Sequence, residues 1–355
     1  SDENKVQCKH PLTTNDQWIS HINIPMIDKK YMLSLYDKLK DENNVIEFDV
    51  LVDEILLDLI PNEYQYISSV LYRPLENNKW VVKLPKSSHD IVIVFTQDFV
   101  NVDNNISPEL EYIDEFYNDV STVVVIHWNH NLNRVYNGRL KLIEFPAHSF
   151  EFVQQLINNY SRWNGNSTRV NPYMCLNGIP KAHRKLVYSY LRSSANGILT
   201  LDGITNTELL SYNQYDWDNV SNFIALKDIY FSTPVNIITE SLYNESSGII
   251  SEKSLMAFAS LQLPIFIAHN GIIQDVKNYG FDTFDDILDN SYDTLPNDIR
   301  WQEALDRNKH ILNGDYDYGN LLHRLQNNQH HLLDNYLNLL EDRLITQLTA
   351  ILGKH

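Results

Sequence analysis

The chain has 355 residues, 43% of them hydrophobic and 11% aromatic, which excludes a wholly disordered protein and leaves enough apolar side chains for more than one packed core. Its 46 acidic residues outnumber 28 basic ones, and the net charge of −18 argues against a surface that binds nucleic acid broadly, since that needs clustered Lys and Arg; a local basic patch stays open. Cys8 and Cys175 are too few and too far apart for a disulfide scaffold, no apolar run reaches the ~18–20 residues of a membrane helix, and SDENKVQCKH lacks the apolar region of a secretory leader, so the expectation is a soluble, cytoplasmic protein.

In chain order, residues 31–41 and 51–60 carry apolar side chains at helical spacing. DIVIVF (90–95) and STVVVIHW (121–128) are β-branched runs of strand length, and RLKLIEF (139–145) alternates like a strand. Residues 108–118 and 148–160 return to helical spacing. Strands alternating with helices predict a parallel sheet covered on both faces. SRWNGNSTRVNP (161–172), polar and containing Gly and Pro, reads as a linker.

Beyond the linker the alternation restarts. YMCLNG reads as strand, 180–195 as helix and GILTLDG as a short strand or turn. VNIITE (235–240) follows as strand, 251–262 as helix, LPIFIA as strand and 271–279 as helix. The tail, 317–352, has an apolar stripe from Leu321 to Ile351 at three- and four-residue steps, which predicts a long amphipathic helix. The stripe is wide and has no clean heptad, which favours packing on the chain's own core over a coiled-coil dimer; a monomer or a homodimer both fit. The expected division is an N-terminal α/β domain over 1–165, a second α/β domain over 166–316, and a closing helical segment over 317–355.

In such halves, strand C-termini and helix N-termini face the ligand, and a helix N-terminus carries unpaired N–H groups that suit phosphate. Two helix starts in the second half are equipped for this. In NGIPKAHRKLVYSYL (177–191), Lys181, His183, Arg184 and Lys185 crowd the first turn, where the helix dipole disfavours cations. Either an anion sits among them or the turn is an ordinary solvated basic one. In the second start, Ser251 is a candidate N-cap ahead of Glu252 and Lys253. Lys253 would neutralise a phosphate and Glu252 would accept from sugar hydroxyls; alternatively, Glu252 complements the dipole and Lys253 is a surface residue.

The order strand–TES, Tyr, SEK–helix, PIFIAHNG resembles the donor-binding region of α1,3-fucosyltransferase-like glycosyltransferases. There an E-N-S-like segment, an aromatic, T-E-K and P-V-V-x-G follow one another. Glu240 falls on the first acid, Tyr243 near the aromatic, Ser251-Glu252-Lys253 on T-E-K, and Pro264 to Gly271 on the following strand and turn. The chain is also similar to glycosyltransferases of large-genome bacteriophages, which carry N-R-x-P-R-x-H-R, T-E-K and G-F-x-T-F…D-E-S-Y-D in that order. Asn177 to Arg184, the SEK triplet, GFDTF (280–284), Asp289 to Asp293 and then Arg300 match these. The likeness spans roughly 173–312, with Ser251 for Thr, Gly178 for a basic residue and Asn290 for Glu.

The resemblance implies a two-domain GT-B glycosyltransferase with two Rossmann-like domains and a long C-terminal helix. It would be metal-independent, with no cofactor beyond a GDP- or UDP-sugar as co-substrate. By position, Arg184 and Lys253 would hold the diphosphate with Lys181 beside them, Glu252 the ribose or base, and Glu240 and Tyr243 would lie against the donor. His269 and Gly271, at a strand end, are further candidates, with a plain turn as the alternative for His269. Asp282, Asp289 and Asp293 stand open between sugar binding and helix capping. An acceptor-side base would come from the first domain, where His127, His130 and Asp98 lie at or just past strand ends, with Glu144 also available. The His127–His130 spacing has no third ligand in register, so no metal site is assigned. The acceptor is open between a hydroxymethylated base of viral DNA, a protein and a glycan. Two other readings stand beside this one: a non-catalytic binding protein on the same scaffold, and a metal-dependent phosphate-ester enzyme using the acidic loops.

Overall fold

The computed structural model describes residues 7–8, 19–20, 49–52, 66–68, 91–95, 108–127, 129, 132, 136–165, 168–193, 196–201, 204–205, 219–241, 243, 248 and 250–352. The expected helix over 31–41, Asp98 and His130 lie outside them. The chain packs as two compact units, Ser1–Ala147 with Asp342–His355, and His148–Glu341.

In the first unit, β1 (Gln7–Cys8) and β2 (Ile19–Ser20) form a short antiparallel pair. The main sheet is built from β3 (Asp49–Val52), β4 (Tyr66–Ser68), β5 (Ile91–Phe95), β6 (Thr122–His127) and β7 (Lys141–Glu144), in the order β4-β3-β5-β6-β7, with every pair parallel. All six residues of β6 are buried, as a strand flanked on both sides and covered on both faces requires. Helix α1 (Pro108–Phe116) opens on a proline, whose missing N–H costs nothing at a first helical position, and buries Leu110 and Ile113 in the core with Val92, Val123 and Val125. The helix expected over 51–60 is corrected at its start: Leu51 and Val52 belong to β3. The short apolar run DVLV has no periodicity to separate helix from strand, and pairing on both sides decides it.

The second unit starts with α2 (Ala147–Asn158) and a short α3 (Tyr160–Trp163). The expected linker is therefore helical over its first residues, because Trp163 is fully buried and its indole N–H donates to the Leu156 carbonyl at 2.7 Å. Next come β8 (Met174–Leu176), α4 (Ala182–Leu191), β9 (Ile198–Leu201), β10 (Ile204–Thr205), α5 (Asn219–Ala225) and α6 (Lys227–Ser232). They are followed by β11 (Val235–Thr239), α7 (Glu252–Ala259), β12 (Leu263–Ile267) and α8 (Ile272–Asn278). A 3-10 turn at Ser291–Thr294 leads into α9 (Asn297–Arg307) and α10 (Lys309–Leu312). The sheet order is β10-β9-β8-β11-β12; only the edge strand β10 is antiparallel.

This order fixes where a ligand can sit. From β8 the chain moves through α4 to β9 on one side, and from β11 through α7 to β12 on the other. The direction of winding reverses between β8 and β11, and in open parallel sheets the crevice forms at the carboxyl ends of that pair.

The tail is α11 (Tyr318–His330), one π-helical segment (His331–Asn335) and α12 (Tyr336–Leu352), in place of one uniform helix. The apolar stripe is buried as its spacing predicts: Leu321 and Leu325 join the core beside β8, β11 and β12, and Leu340, Leu344 and Leu348 are buried in turn. The architecture is thus mixed α/β with two mainly parallel sheets and a long C-terminal helix. Among the described residues no helix is long and apolar enough to cross a membrane, and no group of three His, Cys, Asp or Glu side chains is placed to hold a metal ion.

Candidate functional site

Both equipped helix starts lie at the switch point, α4 after β8 and α7 after β11. The strand ends are tied by Asn177, whose backbone N–H donates to Thr200 Oγ1 at 2.7 Å and whose side-chain oxygen accepts from Thr239 Oγ1. Its amide also donates to Cys175 Sγ at 3.1 Å, and burial pushes that thiol up to about 12, so Cys175 is a packing group.

Helix α4 begins without a side-chain cap among the described residues: Lys181 occupies the N-cap in extended conformation and its side chain makes no cap hydrogen bond. Its first turn is fastened to three consecutive carbonyls at the exit of β11. Lys181 Nζ donates to Ser241 O at 2.7 Å, the His183 Nε2–H group to Glu240 O at 2.9 Å, and an Arg184 terminal nitrogen to Thr239 O at 3.3 Å. The other terminal nitrogen of Arg184 donates to Ile179 O at 3.0 Å. Arg184 is only 5% exposed, and its Nε–H is buried with no partner among the described residues.

Helix α7 is the opposite case. Ser251 Oγ accepts from Lys253 N at 3.3 Å, and Glu240, wholly buried, closes the helix end from below. Its carboxylate accepts from Ser251 N at 3.0 Å, from Ser251 Oγ, and from Ser254 Oγ at 2.6 Å. Glu240 is therefore a fixture of the α7 cap. Lys253 Nζ reaches Glu252 Oε1 at 2.6 Å and Ser241 Oγ at 3.2 Å, so the two lysines meet at one serine from separate helices.

The result is three cations, Lys181, Arg184 and Lys253, against two carboxylates, Glu240 and Glu252. Burial, then the charges of Arg184 and Lys253, push Lys181 down to about 8. Burial also lowers Arg184, with the Glu240 carboxylate opposing it. His183 is pushed to about 3, by burial first and by the same cations after it, so its imidazole is neutral. That ring stacks on Tyr243 at 3.8 Å and 21°, with Trp301 against both. Arg300, fully buried, donates to the carbonyls of Ala268 and Leu295 and, at 3.5 Å, of Tyr243, which fixes the backbone there.

The third turn, after β12, is filled by the protein itself. Gly271 takes the left-handed φ of +87° that favours glycine, and Asp293 accepts from Gly271 N at 3.2 Å and Ile273 N at 3.1 Å. Burial pushes Asp293 up to about 6. His269 is wholly buried against Asp275, 2.8 Å away, beneath Gly248, so it supports that glycine from inside. Asp282 and Asp289 also accept from backbone N–H groups, of Phe284 at 2.8 Å and Ser291 at 3.0 Å.

The structure thus brings Lys181, Arg184, Glu240, Tyr243, Glu252 and Lys253 to one sheet edge, while His269 and Gly271 serve the neighbouring turn. His127 ends β6 in the first unit, 1% exposed, opposite Glu144 in register. Sequence reasoning placed His183 among the cations and missed its bond to Glu240; it gave Ser241 and Trp301 no role. The alternation of Thr239, Glu240 and Ser241 with the α4 cations becomes visible only once β8 and β11 are neighbours.

No family model matches the chain, and no curated protein matches it. Among solved structures, a crystal structure of an α1,3-fucosyltransferase is similar over 85% of this chain and 96% of that one, at 12% identity and a TM-score of 0.42.

Proposed function

We propose that this chain is a GT-B-type glycosyltransferase that takes its sugar from a GDP- or UDP-sugar, with the diphosphate bound at the start of α4. One observation carries the reading: an uncapped helix N-terminus at the switch point, with the buried Arg184 Nε–H, unpartnered among the described residues, and the ammonium groups of Lys181 and Lys253 gathered around it. Three cations against two carboxylates leave one positive charge unbalanced in a partly desolvated place, where Arg184 and Lys253 repel Lys181, and a bound anion would relieve that repulsion. In sugar transfer the bond between the anomeric carbon and the diphosphate oxygen breaks, and the electron pair leaves with the diphosphate. Cations and a helix end placed there stabilise that growing charge more than they stabilise the intact donor. Glu252, beside Lys253, would accept from ribose hydroxyls.

The test is thermal unfolding with a panel of nucleoside diphosphates, followed by sugar release from the matching donors. One diphosphate is expected to raise the melting temperature, Lys253→Ala to abolish the shift, and EDTA to leave sugar release intact. No shift with any member of the panel sinks the reading. A shift without sugar release from any donor would instead indicate a binding protein on the same scaffold, and loss of activity in EDTA a metal-dependent enzyme.

A further inference from the structure

The fastening of α4 to the exit of β11 uses three side chains of different kinds. Lys181 and Arg184 are cations whose present acceptors, the carbonyls of Ser241 and Thr239, carry only partial charge. A phosphate oxygen competes well for such donors, because a cation gains more Coulomb energy from an acceptor that carries formal charge than from a carbonyl's partial charge. If both cations turned to a ligand, the first turn of α4 would lose two of its three ties to β11. The third tie is of another sort. A carbonyl only accepts, so the His183 Nε2 atom facing Glu240 O carries the proton, and the ring brings no charge to trade for an anion. The imidazole is 0% exposed and its flat face is held by Tyr243, with the Trp301 ring tilted beside it. Its Nδ1 is buried without a partner among the described residues. A phenylalanine at 183 would fill the same stack without that orphan acceptor. What it would lack is the N–H to Glu240.

We infer that His183 is a positioning residue: its Nε2–H bond to the Glu240 carbonyl and its stack on Tyr243 hold the start of α4 against β11 while Lys181 and Arg184 exchange carbonyl acceptors for ligand oxygens. This rests on the reading of the α4 start as a diphosphate site. It assigns to the histidine no contact with the ligand. It also ties the anion site to the aromatic cluster through Glu240, whose carboxylate caps α7 and whose carbonyl holds α4, so both equipped helices are set by one residue of the β11 exit.

Two measurements test it. In the wild-type protein, the side-chain N–H resonances of His183 and Arg184 are followed during titration with GDP and with UDP to about 1 mM. The Arg184 Nε–H signal is expected to move and the His183 Nε2–H signal to persist, still slow to exchange. Calorimetry then compares His183→Gln, whose amide can still donate to Glu240 O, with His183→Phe, which keeps the ring alone. Gln is expected to bind the diphosphate within about threefold of wild type and Phe roughly tenfold more weakly, beyond any difference in melting temperature. If Arg184 does not move with either nucleotide, the anion-site reading falls and this inference with it. If Arg184 moves but the His183 signal is lost on binding, or Phe binds as wild type does, this inference alone is overturned. A Phe variant that fails to fold leaves the resonance experiment to decide.

Discussion

Glu240 has no exposed surface, yet its carboxylate accepts from three donors of the α7 start, and its carbonyl accepts from His183. A buried donor left without an acceptor costs more than the bond itself is worth, so truncation at this site leaves several groups unsatisfied at once. Glu240→Ala is expected to lower unfolding free energy by about 3 kcal/mol, and Glu240→Gln by less, since the serine hydroxyls can rotate to meet an amide. Urea denaturation checks both; equal losses would mean that the amide cannot stand in for the carboxylate and that the serine hydroxyls do not turn to meet it. Gly248 gives a second case. A Cβ added there would stand 2.6 Å from the ring of His269, which Asp275 holds in place, whereas nothing lies within 4 Å of a Cβ at Gly178. Gly248→Ala should therefore cost about 1–3 kcal/mol and Gly178→Ala close to nothing. Similar melting temperatures for the two variants would contradict the packing of Gly248 on His269.

The starts of α4, α7 and α8 are treated differently by the chain. The α7 start is capped by Ser251 and Glu240, that of α8 by Asp293, and that of α4, among the described residues, by nothing but Lys181 backbone geometry. An N-cap aspartate accepts from first-turn N–H groups and favours the dipole, whereas lysine opposes it. Lys181→Asp is therefore expected to stabilise the protein by about 1 kcal/mol, even after loss of the bond to Ser241, and to abolish the nucleotide-induced melting shift. A variant that is less stable and still binds would show that the missing cap serves no ligand. Much at this scale was legible in the sequence. Strands at VNIITE and LPIFIA, the α7 helix behind Ser251 and the basic first turn of α4 follow from apolar runs, a capping serine and a turn with Gly178 and Pro180. Helix α9 was not, because its buried face is shared by Trp301, Ala304 and the charged Arg300, which breaks the apolar pattern. Nor was the use of Glu240. As a lone acid after a strand it reads as a ligand contact, and only the return of the chain that brings Ser251 and Ser254 back to its carboxylate, which no local pattern encodes, turns it inward.

Over the whole molecule, the charge of −18 means that acidification should relieve self-repulsion, yet two buried groups bias the balance in opposite directions. His183 is pushed from 6.5 to about 3 in the folded chain, so its contribution to stability is present above 6.5 and is lost as pH falls, because the unfolded chain then takes up a proton that the fold refuses. Asp293 is raised from 3.8 to about 6, so its contribution is full below 3.8 and is lost as pH rises through 6. Between about pH 4 and 6 the unfolded chain holds a proton on His183 and none on Asp293, and the fold does the reverse; the two slopes, each roughly 1 kcal/mol per pH unit, cancel. Removing either group exposes the other. Relative to wild type, Asp293→Asn should become more stable as pH rises from 4 to 6, and His183→Gln less stable, each by roughly 1 kcal/mol per pH unit. Urea unfolding across that window reads both differences directly, with the other carboxylates common to all curves. Variant curves parallel to wild type would mean that neither group keeps the protonation state the fold assigns it, and that the neutral His183 on which the α4 start depends is charged after all.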